Sequence, residues 1–77
     1  MYIERCFALN LKRFRKENGL SQLELSELSG ISFKYIYKLE RGTANPSIKI
    51  VDILAKSLGV SPVSFFLDED GNKVEFD

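Results

Sequence analysis

A chain of 77 residues has room for one compact domain, and a domain this small buries only about 60% of the surface its unfolded form exposes, so its core has to be efficient. Apolar residues make up 44% of it, which excludes global disorder, and its longest apolar runs are a few residues, far short of the roughly 20 needed to cross a bilayer. Lys and Arg number 11 against 11 Asp and Glu, histidine is absent and Cys6 is the single cysteine; this excludes an intrachain disulfide and a zinc site of the usual ligand set, and leaves out the common nucleophile–base pairs of enzymes.

The first residues, Met1-Tyr2-Ile3-Glu4-Arg5, lack the basic-then-apolar order of a signal peptide. The expectation is a cytoplasmic protein that is not an enzyme, with no metal, no cofactor and no membrane partner. A chain of this length leaves no space for a separate effector domain, so no small-molecule ligand is expected. Zero net charge speaks against nucleic acid until its distribution is considered: residues 1–49 carry +4 and residues 50–77 carry −4. A polarised chain can turn a basic face to phosphates and its acidic end away. The alternative is ordinary solvated surface charge.

Five short helical patterns follow in order. Ile3, Phe7, Leu11 and Phe14 form an apolar stripe at helical spacing from about Ile3 to Asn18, closed by Gly19. Ser21 with Glu24 makes a capping box that opens a second helix, which runs to Ser29 and stops at Gly30. Ser32 caps a third from Phe33 to about Glu40, closed by Arg41-Gly42, and Thr43-Ala44-Asn45-Pro46 reads as a loop. Ser47 caps a fourth helix with Ile48, Val51, Leu54, Ala55 and Leu58 on one face and Gly59 at its end. Ser61-Pro62 opens a short fifth through Phe65-Phe66. Asp68 to Asn72 is turn-like and Lys73-Val74-Glu75-Phe76 alternates like a strand; this acidic tail, residues 68–77, either frays or docks on the body or a partner. The fold class expected is all-α, with residues 1–67 as the domain.

The informative stretch is Leu20 to Arg41, two capped helices joined by Ser29-Gly30-Ile31, a connection short enough to cross them steeply. That unit presents its second helix to the DNA major groove. At about 100° per residue, Tyr35, Ile36, Leu39 and Glu40 share one arc of the third helix, while Phe33, Lys34, Tyr37, Lys38 and Arg41 share the other. Lysine reaches guanine acceptors or phosphates, and aromatic rings contact thymine methyls or the sugar-phosphate wall. Alternatively, Phe33 and Tyr37 pack on neighbouring helices and the lysines are merely solvated. The helix starts after Ser21, Ser32 and Ser47 suit phosphate oxygens, the Gln22 amide could donate to one, and Lys49 opposes its own helix dipole unless an anion sits there.

Leu20-Ser21-Gln22-Leu23-Glu24-Leu25-Ser26-Glu27-Leu28-Ser29-Gly30-Ile31-Ser32, followed by Ile36-Tyr37-Lys38-Leu39-Glu40-Arg41-Gly42 and Asn45-Pro46-Ser47, resembles the phage repressor/Cro-type (XRE-like) helix-turn-helix family, in which restriction-modification controller proteins are similar in size. The likeness spans roughly residues 7–67. It implies a five-helix repressor-like fold, double-stranded DNA as partner, a phosphate grip by Gln22, base reading by Phe33, Lys34, Tyr37 and Lys38, and backbone contacts from Tyr35, Arg41, Thr43 and Asn45. It also implies a partly buried ion pair between Arg15 and Glu40. Ser26 departs from the family's usual alanine, and Phe33 stands where many relatives carry a polar base-reading residue.

One such module covers little DNA, and this motif class commonly dimerises on two half-sites. Ile50 and Ile53, off the core stripe of the fourth helix, together with Val63 and Phe66, are the candidate dimer interface; Val63 and Phe66 could instead complete the core. The reading is a homodimeric transcriptional regulator on a palindromic operator. An antitoxin-like or adaptor module on the same fold is the alternative, since fold does not fix function.

Overall fold

The computed structural model describes residues 2–73. Four α-helices run in order, α1 (Tyr2–Glu17), α2 (Gln22–Ser29), α3 (Phe33–Glu40) and α4 (Ile48–Leu58), followed by a 3-10 helix, Pro62–Phe66. Serine hydroxyls set three of the starts: Ser21, Ser32 and Ser47 accept the backbone N–H of Glu24, Tyr35 and Ile50 at 3.0, 3.2 and 3.1 Å. Each thereby satisfies a donor the helix itself leaves free.

α1 buries Phe7, Leu11 and Phe14, which meet Leu25 of α2, Ile36 and Leu39 of α3 and Leu54 of α4 in one core. Phe65 closes that core from the far end and is fully buried, its ring 4.8 Å from Phe7 and edge-on to Phe14 at 5.4 Å. Asn10 sits in the same stripe yet is polar, and it too is buried. Its Nδ2 donates to the carbonyls of Phe65 (2.8 Å) and Leu67 (2.7 Å), stitching the end of the chain's last helical turn to α1. A buried amide without such partners would be costly.

Three expectations need correction. The fifth helix is not α but 3-10: Ser61 makes no side-chain cap, and five residues are too few to offset α-helix nucleation. In place of a strand, Leu67 and Lys73 make one isolated antiparallel bridge, and no sheet forms among the described residues. The bridge closes on an Asx turn in which Asp68 Oδ1 accepts the N–H groups of Asp70 (3.0 Å) and Asn72 (2.8 Å); the rest of the expected strand, Val74 to Phe76, lies outside the described residues. Finally, Ile48 and Ile3, assigned to core stripes, are 90% and 38% exposed. Both stand in the first turn of their helices, ahead of where the neighbouring elements pack.

The capping box at α2 is complete, with Glu24 Oε1 accepting the Ser21 N–H at 2.8 Å. Hydrogen bonds from the Ser21 backbone and then its side chain hold the Glu24 carboxyl below the usual glutamate range. The box therefore stabilises α2 fully at neutral pH, and its contribution is lost as pH falls through the ordinary range and then through the lowered folded-state value. Ser21→Ala is expected to cost about 1 kcal/mol in urea unfolding at pH 7. Glu24→Gln should flatten the decline of stability with acid below about pH 5.

Candidate nucleic-acid interface

The turn between α2 and α3 is built from three local contacts. Gly30 adopts φ +77°, a left-handed conformation that L side chains resist, and its N–H returns to the Ser26 carbonyl at 2.9 Å. Ser29 Oγ accepts the Ile31 N–H (3.1 Å), and Ser26 Oγ donates to the Ile31 carbonyl (2.6 Å). With Ile31 buried as the plug of the turn, the direction of α3 is fixed before its own packing is counted. The hydroxyl of Ser26 is accommodated by that last bond.

α3 is strongly two-faced. Ile36 and Leu39 are buried at 0% and 1% exposure and Tyr35 is half-buried against the core. Facing solvent are Phe33 and Tyr37, 47% and 45% exposed, with Lys34, Lys38 and Arg41 beside them. The Arg41 guanidinium lies 5.6 Å from the centre of the Tyr37 ring and donates to its hydroxyl at 3.4 Å, steadying both side chains one turn apart. Two large rings and three cations on one open helical face, with no carboxylate among them, form a surface suited to a polyanion that also offers apolar groups.

The flanking groups differ in what they can still give. Ser21 and Ser32 use their oxygens as caps and keep a hydroxyl hydrogen for an acceptor such as phosphate. Tyr35 Oη, by contrast, already donates to the Asn45 carbonyl (3.1 Å) and Thr43 Oγ1 to the Lys38 carbonyl (3.2 Å). These two hydroxyls fold the loop after α3 back onto the helix, and each must exchange its partner before it can donate to DNA. Gln22 Nε2 donates to Glu40 Oε1 at 3.1 Å, leaving the second hydrogen of that amide for another acceptor. Lys49 and Asn45 are exposed beside the start of α4.

Beneath this face, Arg15 forms a two-pronged bond with Glu40, Nε to Oε2 at 2.6 Å and Nη2 to Oε1 at 2.9 Å, and its Nη1 donates to the Leu20 carbonyl at 2.8 Å. Both side chains are nearly sealed, 9% and 4% exposed. The Glu40 hydrogen bonds hold the guanidinium above the ordinary arginine value although burial opposes it. The ion pair thus joins α1, the α1–α2 turn through the arginine, α2 through Gln22, and α3.

The proposed dimer residues are divided. Ile50, Ile53 and Phe66 are half-buried and pack against the chain's own core, Phe66 with its ring 5.9 Å from Phe7. Val63 is 58% exposed. The residue that sequence reasoning missed here is Ile48, which with Val63, Phe66, Pro46 and Pro62 lines a shallow apolar groove. Asn10 and the Gln22–Glu40 contact were also missed; for Asn10 the available signal was a polar residue inside an apolar stripe. Cys6 is half-buried with its thiol 3.6 Å from the Phe65 carbonyl, and burial first and Asp68 second push it up, away from thiolate chemistry at neutral pH. Among the described residues no cluster of three metal-ligating side chains occurs and no helix is long and apolar enough to cross a membrane.

A capped helix pair, a glycine turn and an open cationic-aromatic second helix define the helix-turn-helix class. The chain belongs to the Helix-turn-helix family, whose match covers residues 11–65, a family of DNA-binding transcriptional regulators rather than enzymes. It is similar to control protein C.SmaI of Serratia marcescens, 39% identical over 75 residues that cover 97% of this chain and 88% of that one. The crystal structure of the restriction-modification controller protein C.AhdI from Aeromonas hydrophila superposes with a TM-score of 0.81 at 33% identity, covering 86% of this chain and 100% of that one. Controller protein C.Esp1396I, solved as a tetramer in complex with its natural 35-base-pair operator, superposes at 0.77 with 32% identity, covering 86% and 87%.

Proposed function

We propose that this chain is a sequence-specific double-stranded-DNA-binding transcriptional regulator that acts as a homodimer on a palindromic operator. The observation that carries the reading is the outward face of α3, where Phe33, Lys34, Tyr37, Lys38 and Arg41 stand open on a helix held from behind by a sealed ion pair. Phe33, Lys34, Tyr37 and Lys38 enter the major groove to read bases. Ser21, Gln22, Ser32, Arg41 and Lys49 meet the flanking phosphates directly, with Tyr35, Thr43 and Asn45 joining where the loop opens. Residues 1–67 make the DNA-binding domain, and the acidic tail, residues 68–77, takes no part in binding phosphate. The operator-bound assembly of C.Esp1396I supports multimeric binding as the mode for this chain too.

Selection of bound sites from a random duplex pool tests the reading. The expected product is a palindromic consensus whose affinity falls steeply with added salt, because cations displace counterions from DNA. No enrichment, with salt-insensitive binding to a protein, would return the adaptor reading. The two-fold contact runs through Val63 and Phe66 with the half-buried Ile50 and Ile53, and takes in Ile48 from the same apolar groove. Val63→Glu leaves the core alone and is expected to shift sedimentation from dimer to monomer and to weaken binding to the full palindrome more than to a half-site. A Val63→Glu protein that stays dimeric would place the interface elsewhere.

A further inference from the structure

The outward face of α3 has an unusual chemical inventory. It carries no asparagine or glutamine to pair with adenine and no carboxylate to accept from cytosine N4. Outside that helix, the Gln22 amide already gives one hydrogen to Glu40. The helix itself offers base edges the lysine pair, Lys34 and Lys38, and the two rings, Phe33 and Tyr37, each about half open to solvent, while Arg41 at its C-terminal end is turned onto the Tyr37 ring. Phe33 is the first residue of α3, and the start of a recognition helix is the part that lies deepest in the groove. An apolar ring there has one specific partner on a base edge, the C5 methyl group that a pyrimidine turns into the major groove. The Tyr37 hydroxyl accepts from Arg41, which holds its ring in place one turn further along the same face.

We propose that this protein reads pyrimidine C5 methyl groups through Phe33 and Tyr37, so that the methyl of 5-methylcytosine is contacted as that of thymine is and occupancy responds to cytosine C5 methylation at those positions. The proposal rests on the DNA-binding reading above and goes beyond it by naming the chemical group that is read. Lys34 and Lys38 supply the complementary preference for guanine.

The test uses the full chain and the duplex recovered by site selection, so specific binding is established first. Each thymine of a half-site is replaced by deoxyuridine, which removes the methyl and nothing else. At one or two positions the affinity is expected to fall about fourfold, the change for one methyl-sized group removed from an apolar contact. At those positions cytosine in place of thymine weakens binding, and 5-methylcytosine recovers about fourfold of the loss. Phe33→Ala or Tyr37→Ala, both outward-facing changes that leave the core intact, abolishes the discrimination, whereas Lys34→Ala keeps it. Specific binding with no deoxyuridine effect anywhere, or an effect that survives both ring substitutions, overturns methyl reading while leaving DNA binding in place. Failure to select any duplex overturns the DNA-binding reading and this inference with it.

Discussion

Arg15→Leu is expected to lower the free energy of unfolding by about 3–5 kcal/mol, measured by urea denaturation at neutral pH. The leucine removes the cation bonded to the Glu40 carboxylate, whose side chain is 4% exposed. The carboxylate is then left desolvated with, among the described residues, the Gln22 amide as its remaining side-chain donor. For a domain of 77 residues whose whole stability is on the order of 4–12 kcal/mol, that loss brings the chain close to unfolding at room temperature. Glu40→Leu leaves a buried guanidinium and should cost a similar amount, while the double replacement should recover much of the loss because no charge remains in the dry site. The pair's contribution is therefore register more than net energy. Among the described residues the surface pairs Arg13–Glu17 at 3.6 Å and Lys56–Asp52 at 3.1 Å have solvated carboxylates, and Glu17→Gln or Asp52→Asn should shift stability by under about 1 kcal/mol.

Replacing Lys34 and Lys38 together with alanine should do the opposite, leaving the fold unchanged and removing binding. Both side chains are exposed and make no ion pair among the described residues. The unfolding curve should therefore stay within about 0.5 kcal/mol of the parent. Affinity for the selected duplex should fall by about 1–3 kcal/mol for each lysine that reads a base edge, and the salt slope by about one for each that meets a phosphate. Fluorescence anisotropy at several salt concentrations separates the two. Equal losses on selected and random duplexes would make both lysines backbone contacts and shift the base reading to the aromatic pair.

The parts of the fold legible in sequence are those governed by contacts within a few residues. Ser21, Ser32 and Ser47 act on N–H groups three residues along, and Gly30 acts on a carbonyl four residues back, so the bounds of α2, α3 and α4 followed from local chemistry. The two arcs of α3 followed from the helical repeat alone. What escaped depends on partners far along the chain. Asn10 reaches carbonyls 55 and 57 residues away, and nothing near it in sequence announces them. Ile48 keeps the spacing of a core residue but stands beyond the edge of what α4 packs against, and periodicity does not say where the neighbours end. The Gln22–Glu40 bond spans two helices whose crossing had to be known first. At the candidate site, the residue types and their common face were readable, whereas the state of each hydroxyl was not: Tyr35 and Thr43 already donate to backbone carbonyls, because the loop after α3 folds back onto the helix.

The most direct measurement is an NMR titration of the isotope-labelled protein with its selected operator duplex. Amide shifts are expected to concentrate at residues 21–24, 32–41 and 43–49, with the side-chain resonances of Phe33 and Tyr37 among the largest movers. A titration that moved α1 and the Val63–Phe66 surface while the open face of α3 stayed silent would contradict entry of that face into the groove.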